Sequence, residues 1–341
     1  MRRAFALLLR RLAWALFVVV GVASVSFALT RALPGDPARI LVGPQASRAD
    51  VERARTLYAL DAPLRTQFVR YWARLVHTAG SPEDPPEDPP EDHTSCSEPL
   101  RGVHLDLGFS HRYRKPVGTL LAEKAPRSLA LALGAMLIQV LLGIGLGAFA
   151  AKKRGTLADD AAIGSVLVFV SAPTFVLGLA LQYVLAHRLG LLPQDGYGAS
   201  TAEQLRALVL PALTLGIHGA AFYARLTREE LGHALAADYV RTARSKGASG
   251  TRVLFVHALR NALVPIMTLL VLDFGALVGG AIVTEKLFRW PGLGAMAVEA
   301  VVSRDAPLVL GVVLVSASAI VAASVAVDTI NGWLDKNRER S

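Results

Sequence analysis

Six stretches of this chain are long and apolar enough to cross about 30 Å of hydrocarbon. They run Leu12–Leu29, Leu129–Ala151, Ala161–Ala186, Ala207–Ala224, Ala262–Thr284 and Ala306–Ile330. Four contain no Asp, Glu, Lys or Arg, and the other two hold Asp273 and Asp328. Hydrocarbon offers the backbone no partner, so each stretch must pair its own N–H and C=O groups. The pattern predicts an all-α polytopic membrane protein with six transmembrane helices. Arg10-Arg11 mimics a twin-arginine signal. The first stretch is span-length, however, and no clear small-residue cleavage site precedes Arg31, so a retained helix is expected.

The charge of the chain, +9, sits mostly in loops beside the apolar stretches. A nucleic-acid binder would gather such charge on a soluble face, so no nucleic acid is expected as a partner. Arg2, Arg3, Arg10 and Arg11 precede the first stretch, and Lys152, Lys153 and Arg154 follow the second. Seven Lys and Arg, among them Arg225, Arg241 and Arg260, lie between the fourth and fifth, and Lys336, Arg338 and Arg340 close the chain. The short loops 187–206 and 285–305 are poorer in basic residues. The positive-inside rule then places both termini in the cytoplasm and residues 31–127 outside. Cys96 is the single cysteine, which excludes an internal disulfide and a cysteine-rich zinc site.

The sequence divides into an N-terminal end with the first span (1–30), an outer region (31–127) and a core (128–341) with a polar loop at 225–261. In the outer region, Val51–Tyr58 and Leu64–Val76 read as two amphipathic helices. An acidic proline repeat, Pro82–Asp92, lies inside a stretch that looks inserted at 81–102. Proline blocks helix and sheet and the acid pairs repel, so an extended spacer is expected, not a caged cation site. Pro173, Pro211, Pro265 and Pro307 punctuate the helices. Gly143, Gly145 and Gly147 fall in an apolar span, where close helix packing explains them better than nucleotide binding.

The polar loop is patterned. Leu235, Tyr239, Val240 and Ala243 fall at helical spacing with arginines on the other faces, and Gly247 supplies a stop. Such a helix between two spans either rests on lipid headgroups or gives another protein a handle. No GxxxxGK[ST] or HExxH occurs, so the chain neither cradles ATP phosphates nor holds zinc by that motif. No metal or cofactor is expected. Ser171 with His218 is the nominal nucleophile–base pair at membrane depth, and it lacks an orienting acid.

At this point the motifs form a set. They are Pro34–Pro37, Tyr58–Pro63, Asp106–Ser110, Pro116-Val117, Ser171–Phe175 and Leu210–Thr214. They continue with Asp238–Gly247, His257–Pro265, Trp290–Gly294 and Arg304-Asp305. In this order and spacing, almost end to end, the chain resembles the permease subunits of bacterial ABC importers of the dipeptide/oligopeptide/nickel class. The resemblance implies a type I importer permease fold in the inner (plasma) membrane, with a small helical extracytoplasmic region. It implies a second, homologous permease, two ATPase subunits beneath, a substrate-binding protein outside, and no catalysis by this chain. It also implies that Asp238, Tyr239, Val240, Ala243, Lys246 and Gly247 couple to an ATPase. His257, Arg260, Asn261 and Pro265 would then tie that helix to the fifth span. A stand-alone secondary transporter is the other reading, which would call for more intramembrane charge, broken helices and internal repeats.

Asp273 stands where that family more often has an uncharged polar residue. A carboxylate at mid-span costs about 2.5–3.5 kcal/mol on insertion scales. It is expected either on the substrate route or paired within the assembly. His218 is expected to pack as a neutral ring.

Overall fold

The structure, a computed structural model, describes residues 112–338 without a break, together with 46–57, 60–78, 96–100, 103–110 and scattered positions between 13 and 39. The acidic proline repeat lies outside the described residues, whereas the expected first span is described in part, and its described positions between 13 and 28 are helical. The chain divides into two compact units, residues 1–124 with 296–318, and 125–295 with 319–341.

In the first unit, α1 (Arg48–Leu57) and α2 (Leu64–Leu75) fall where the amphipathic patterns predict them. Ser47 Oγ donates to the Asp50 carboxylate and accepts from the Asp50 amide at the start of α1. Residues 31–127, expected to be helical, are not purely so. They also carry β1 (Val76–Thr78), β2 (Cys96–Leu100) and β3 (Val103–Asp106), antiparallel in the order β1-β3-β2. Val76 pairs with Leu105, and Cys96 with Asp106. The presumed insert at 81–102 therefore includes a paired strand at its C-terminal end. Composition misses it because strands this short leave no periodic signal.

A hairpin of β4 (Phe109–Ser110) and β5 (Lys115–Pro116) leads into α3 (Val117–Ile138). Here two of the quoted motifs meet. Asp305, 1% exposed, accepts from Ser110 Oγ at 2.5 Å and from the Arg112 amide at 3.1 Å. Gly108 adopts φ +82, and a Cβ there would sit 3.2 Å from Pro307 Cβ. Tyr113 donates its hydroxyl to Glu299. Burial first, and then that carboxylate, push the phenol up to about 12.

In the second unit the rod begun by α3 continues through a π-helical segment, Gln139–Ile144, into α4 (Gly145–Lys152). Val117–Lys152 is one candidate span. Next come α5 (Leu157–Ser171) and α6 (Thr174–Leu181), the latter extended by a π-helical turn to Arg188. The third stretch was expected as one span punctuated by Pro173. It is bent by 95° around Pro173, whose ring cannot continue the helix of α5.

The central rod is α7 (Thr201–Ala236). Ser200 and Glu203 form a reciprocal capping box at its start. Pro211 lies inside it. Gly143 and Gly147 let the Gln139–Lys152 rod close onto α7. A Cβ at Gly143 would lie 2.6 Å from Tyr223 Cβ, and one at Gly147 would lie 2.5 Å from the Ala224 carbonyl oxygen. Gly145 faces open space, so the packing repeat is small-xxx-small and not the full glycine triplet.

After α7 come α8 (Asp238–Ser245), the single turn α9 (Gly250–Arg252), a π-helical segment at Val253–Ala258 and α10 (Leu259–Gly280). The chain then forms α11 (Ile282–Leu287), α12 (Leu293–Val302) and α13 (Ala306–Arg338). Among the described residues, four helices are long and apolar enough to cross a membrane, or five if the bent pair counts as one span.

Candidate functional site

The polar loop folds as a clasped helix. α7 runs on past its apolar part to Ala236, so Leu235 belongs to α7 and not to the short helix. Ala237 is extended (φ −73, ψ 152), and α8 starts at Asp238. Its end is a double backbone closure: the Gly247 amide donates to the Arg244 carbonyl at 2.9 Å, and the Ala248 amide to the Ala243 carbonyl at 3.1 Å. This is a Schellman motif, with Gly247 at φ +79 in the left-handed position. Ser249 Oγ then accepts from the Arg252 amide to start the next turn.

Val240 is fully buried and α8 packs on α7 and on the Val253–Ala258 segment. Val240 therefore anchors α8 to its own chain. The outward face carries Tyr239, 40% exposed, with Arg241, Arg244 and Lys246; Ala243 is half-buried. Arg241 lies 3.7 Å from Asp238 with both side chains in solvent, a pair that contributes little.

The segment expected to tie α8 to the fifth span, His257–Pro265, runs from the π-helical segment into α10. Leu254 and Ala258 pack with Ala148, Ala151, Leu231 and Ala262 in one cluster. Asn261 donates only to the His257 carbonyl of its own turn, at 3.4 Å, while Arg260 is exposed and Pro265 lies inside α10. Asn261 instead joins Tyr239 in lining a cleft of about 350 Å³ with Glu230, His233, Ala234, Ala237 and Ala262.

A second clasp holds the loop before α5. Asp159, 0% exposed, accepts from Arg228 Nε and Nη2 of α7, each at 2.7 Å, and from the Gly155 amide at 3.0 Å. The pair is bidentate, the geometry that suits a guanidinium fork.

In α11, just past the end of α10, Glu285 is fully buried. Its Oε1 accepts from Ser128 Oγ at 2.8 Å and its Oε2 from the Ala295 amide at 2.8 Å. Ser128 Oγ accepts in turn from the Leu293 amide at 2.8 Å. The carboxylate and the hydroxyl thus cap α12, and Trp290 Nε1 donates to the Arg127 carbonyl beside them. The Trp290–Gly294 motif builds this knot: a Cβ on Gly292 would overlap the Glu285 carboxylate. Burial raises the Glu285 carboxyl above the ordinary glutamate range, against the opposing pull of its donors.

Asp273 is half-buried in α10 and accepts from Tyr223 Oη at 3.3 Å. His218 Nδ1 is buried without a partner, and Ser171 Oγ donates to the Leu167 carbonyl. That arrangement leaves no nucleophile–base pair. Among the described residues no group of three or more His, Cys, Asp or Glu could hold a metal ion.

Residues 143–340 match the family described as binding-protein-dependent transport system inner membrane component, and residues 4–132 match its N-terminal family. The chain belongs to this family. It is 36% identical to a protein named as a peptide transport system permease in Brucella abortus (strain 2308), over 95% of this chain and 96% of that one. It is 35% identical to a glutathione transport system permease protein of Salmonella paratyphi A, over 94% and 95%. In fold it is similar to an inward-facing MetNI methionine ABC transporter structure, with TM-score 0.50 at 18% identity, covering 63% of this chain and 98% of that chain. The permease is thus a subunit of an ABC importer and a multi-pass protein of the inner membrane. The stand-alone transporter reading gives way.

Proposed function

We propose that this permease forms half of a pathway that imports peptides or similar small solutes, paired with a second homologous permease. Two ATPase subunits bind on the cytoplasmic side and hydrolyse the ATP; this chain is not itself catalytic. A substrate-binding protein delivers cargo on the outside, where residues 31–127 lie. Six spans with both termini in the cytoplasm fit the distribution of basic residues.

The observation that carries the reading is α8. It is closed at Gly247, pinned by buried Val240, and turns Tyr239, Arg241, Arg244 and Lys246 outward. A helix locked at its end and on its inner face transmits a push; a slack loop would absorb it. The cations suit carboxylates on an ATPase groove. A lipid-resting helix would present an apolar face to the membrane, whereas α8 spends its best apolar residue, Val240, on its own chain.

The test is co-purification. The tagged permease should bring an ABC ATPase with it, and Arg244→Glu should lower the yield of ATPase while the permease stays inserted. Unchanged ATPase recovery with Arg244→Glu and with Tyr239→Ala would reject α8 as the docking element. Asp273 is proposed to line the route.

A further inference from the structure

The Asp273 carboxylate does not stand alone. Three helical elements of one compact unit meet around it: the π-helical segment after α3, α7 and α10. Tyr223, 2% exposed, donates to Asp273 Oδ2 from α7. Gln139, also 2% exposed, lies beside the same carboxylate. The amide oxygen of Gln139, however, is buried with no partner at all. An orphaned acceptor inside a membrane protein is costly, and here it lies beside a carboxylate.

Two further features show a built arrangement. Gln139 is the first residue of the π-helical segment, and such segments recur where a helix must present a functional side chain. Gly219 on α7 makes the room, because a Cβ there would overlap the Gln139 side-chain amide. Asp273 is half-buried, so part of it faces outward from this chain. An ion facing lipid is disfavoured, whereas one facing a wet route is not.

We propose that the Asp273 carboxylate, Gln139 Oε1 and Tyr223 Oη form a binding site for an alkylammonium group, and that the group is the free amino end of a peptide in transit. This rests on the importer reading above. An ammonium carries three donors and no acceptor, and the cluster offers it one charged and two neutral oxygens. The unpaired Gln139 oxygen then finds its donor. A free sodium ion would use the same oxygens, and the experiment separates the two.

The complex, with its ATPases and binding protein, is reconstituted into liposomes, and ATP-driven uptake of trialanine and of N-acetyl-trialanine is measured at saturating binding protein. The binding protein is the same in every arm, so its own preference cancels between variants. Asp273→Asn and Gln139→Leu should each lower the trialanine-to-acetyl ratio about tenfold or more, the scale of a lost hydrogen bond to a charged group. An unchanged ratio overturns the proposal, whether or not overall uptake falls. Replacing sodium with choline should change nothing; loss of wild-type uptake alone would give the site to sodium and overturn the cargo assignment. If the wild type carries neither peptide well enough for a ratio, the peptide reading falls, and the unfolding temperature of the complex decides the site. Ethylammonium chloride should raise it above tetramethylammonium chloride in the wild type and not in Asp273→Asn. Equal temperatures in the wild type overturn the site.

Discussion

Removing the Glu285 carboxylate should destabilise the permease, by an amount that follows from its partners. Glu285→Ala leaves the Ser128 hydroxyl and the Ala295 amide without their acceptor, and weakens the cap on α12. Each orphaned buried donor costs about 1–3 kcal/mol. Relief from carrying a buried charge offsets part of this. A net loss of about 3 kcal/mol is expected. Ser128→Ala strands the Leu293 amide and one side of the same carboxylate, for about 2 kcal/mol. The double variant should lose less than the two losses added, because both remove the Ser128–Glu285 bond. Unfolding of the purified complex by SDS titration, followed by circular dichroism, measures all four corners. The sign with pH is also fixed. Burial raises the Glu285 pKa above its unfolded value, so the folded protein binds that proton more tightly. Its stabilising contribution is complete below the unfolded pKa and is lost as pH rises through the folded pKa. The wild type should therefore lose stability across that window while Glu285→Gln stays level. Strict additivity of the two single losses, or a Glu285→Gln profile as steep as the wild type, would refute the knot.

Gly247→Val should insert normally and lose most cargo-stimulated ATPase activity, while Gly247→Asn should keep most of it. A Cβ at Gly247 meets nothing within 4 Å, so the cost lies in the positive φ alone, about 1–2 kcal/mol. Arg228→Ala should lower uptake per ATP hydrolysed by freeing the loop before α5 from α7, and the swap of Asp159 to Arg with Arg228 to Asp should recover part of it; intact coupling in Arg228→Ala would dismiss the clasp. Gly147→Leu should block assembly, because a side chain there drives into the Ala224 carbonyl and Thr227 Cβ, each 2.5 Å from the new Cβ. Gly145→Leu, facing open space, should fold and is the control; size-exclusion profiles of the two variants decide.

The span pattern and the two outer helices were legible because burial in hydrocarbon imposes a long apolar signal and an amphipathic helix imposes a period. The end of α8 was legible because only a left-handed residue closes a Schellman turn cheaply, and Gly247 stood there. What the sequence hid depends on contacts distant along the chain. Apolar length gave Ala207–Ala224 for the fourth span, but α7 extends to Ala236, since a helix needs no apolar side chains once its backbone bonds propagate. Asp159 and Arg228 sit in unremarkable charged stretches, and nothing local says that they pair. Glu285 left a faint signal, an acid directly after an apolar run and before Trp290-Pro291-Gly292. Gln139 left another, the one amide in its apolar stretch.

α7 is the element on which these separate observations converge. Along one helix it carries Gly216 and Gly219, which admit Ile138 and Gln139. It then presents Tyr223 to Asp273, Arg228 to Asp159 and Leu231 to the apolar cluster that holds Leu254 and Ala258. After one intervening residue, α8 begins. A displacement of α8 is therefore passed to a continuous rod, because Ala237 is the single extended residue between them and Val240 locks the corner. Along that rod, Arg228 meets the loop before α5 nearest to α8, and Tyr223 meets the Asp273 cluster further on. Glycines on the facing rod make the contact close enough that a shift of α7 must move its neighbours or break van der Waals contact. The same helix would thus link the proposed docking surface to the proposed cation site, and the coupling defect of Arg228→Ala should leave the trialanine-to-acetyl ratio untouched.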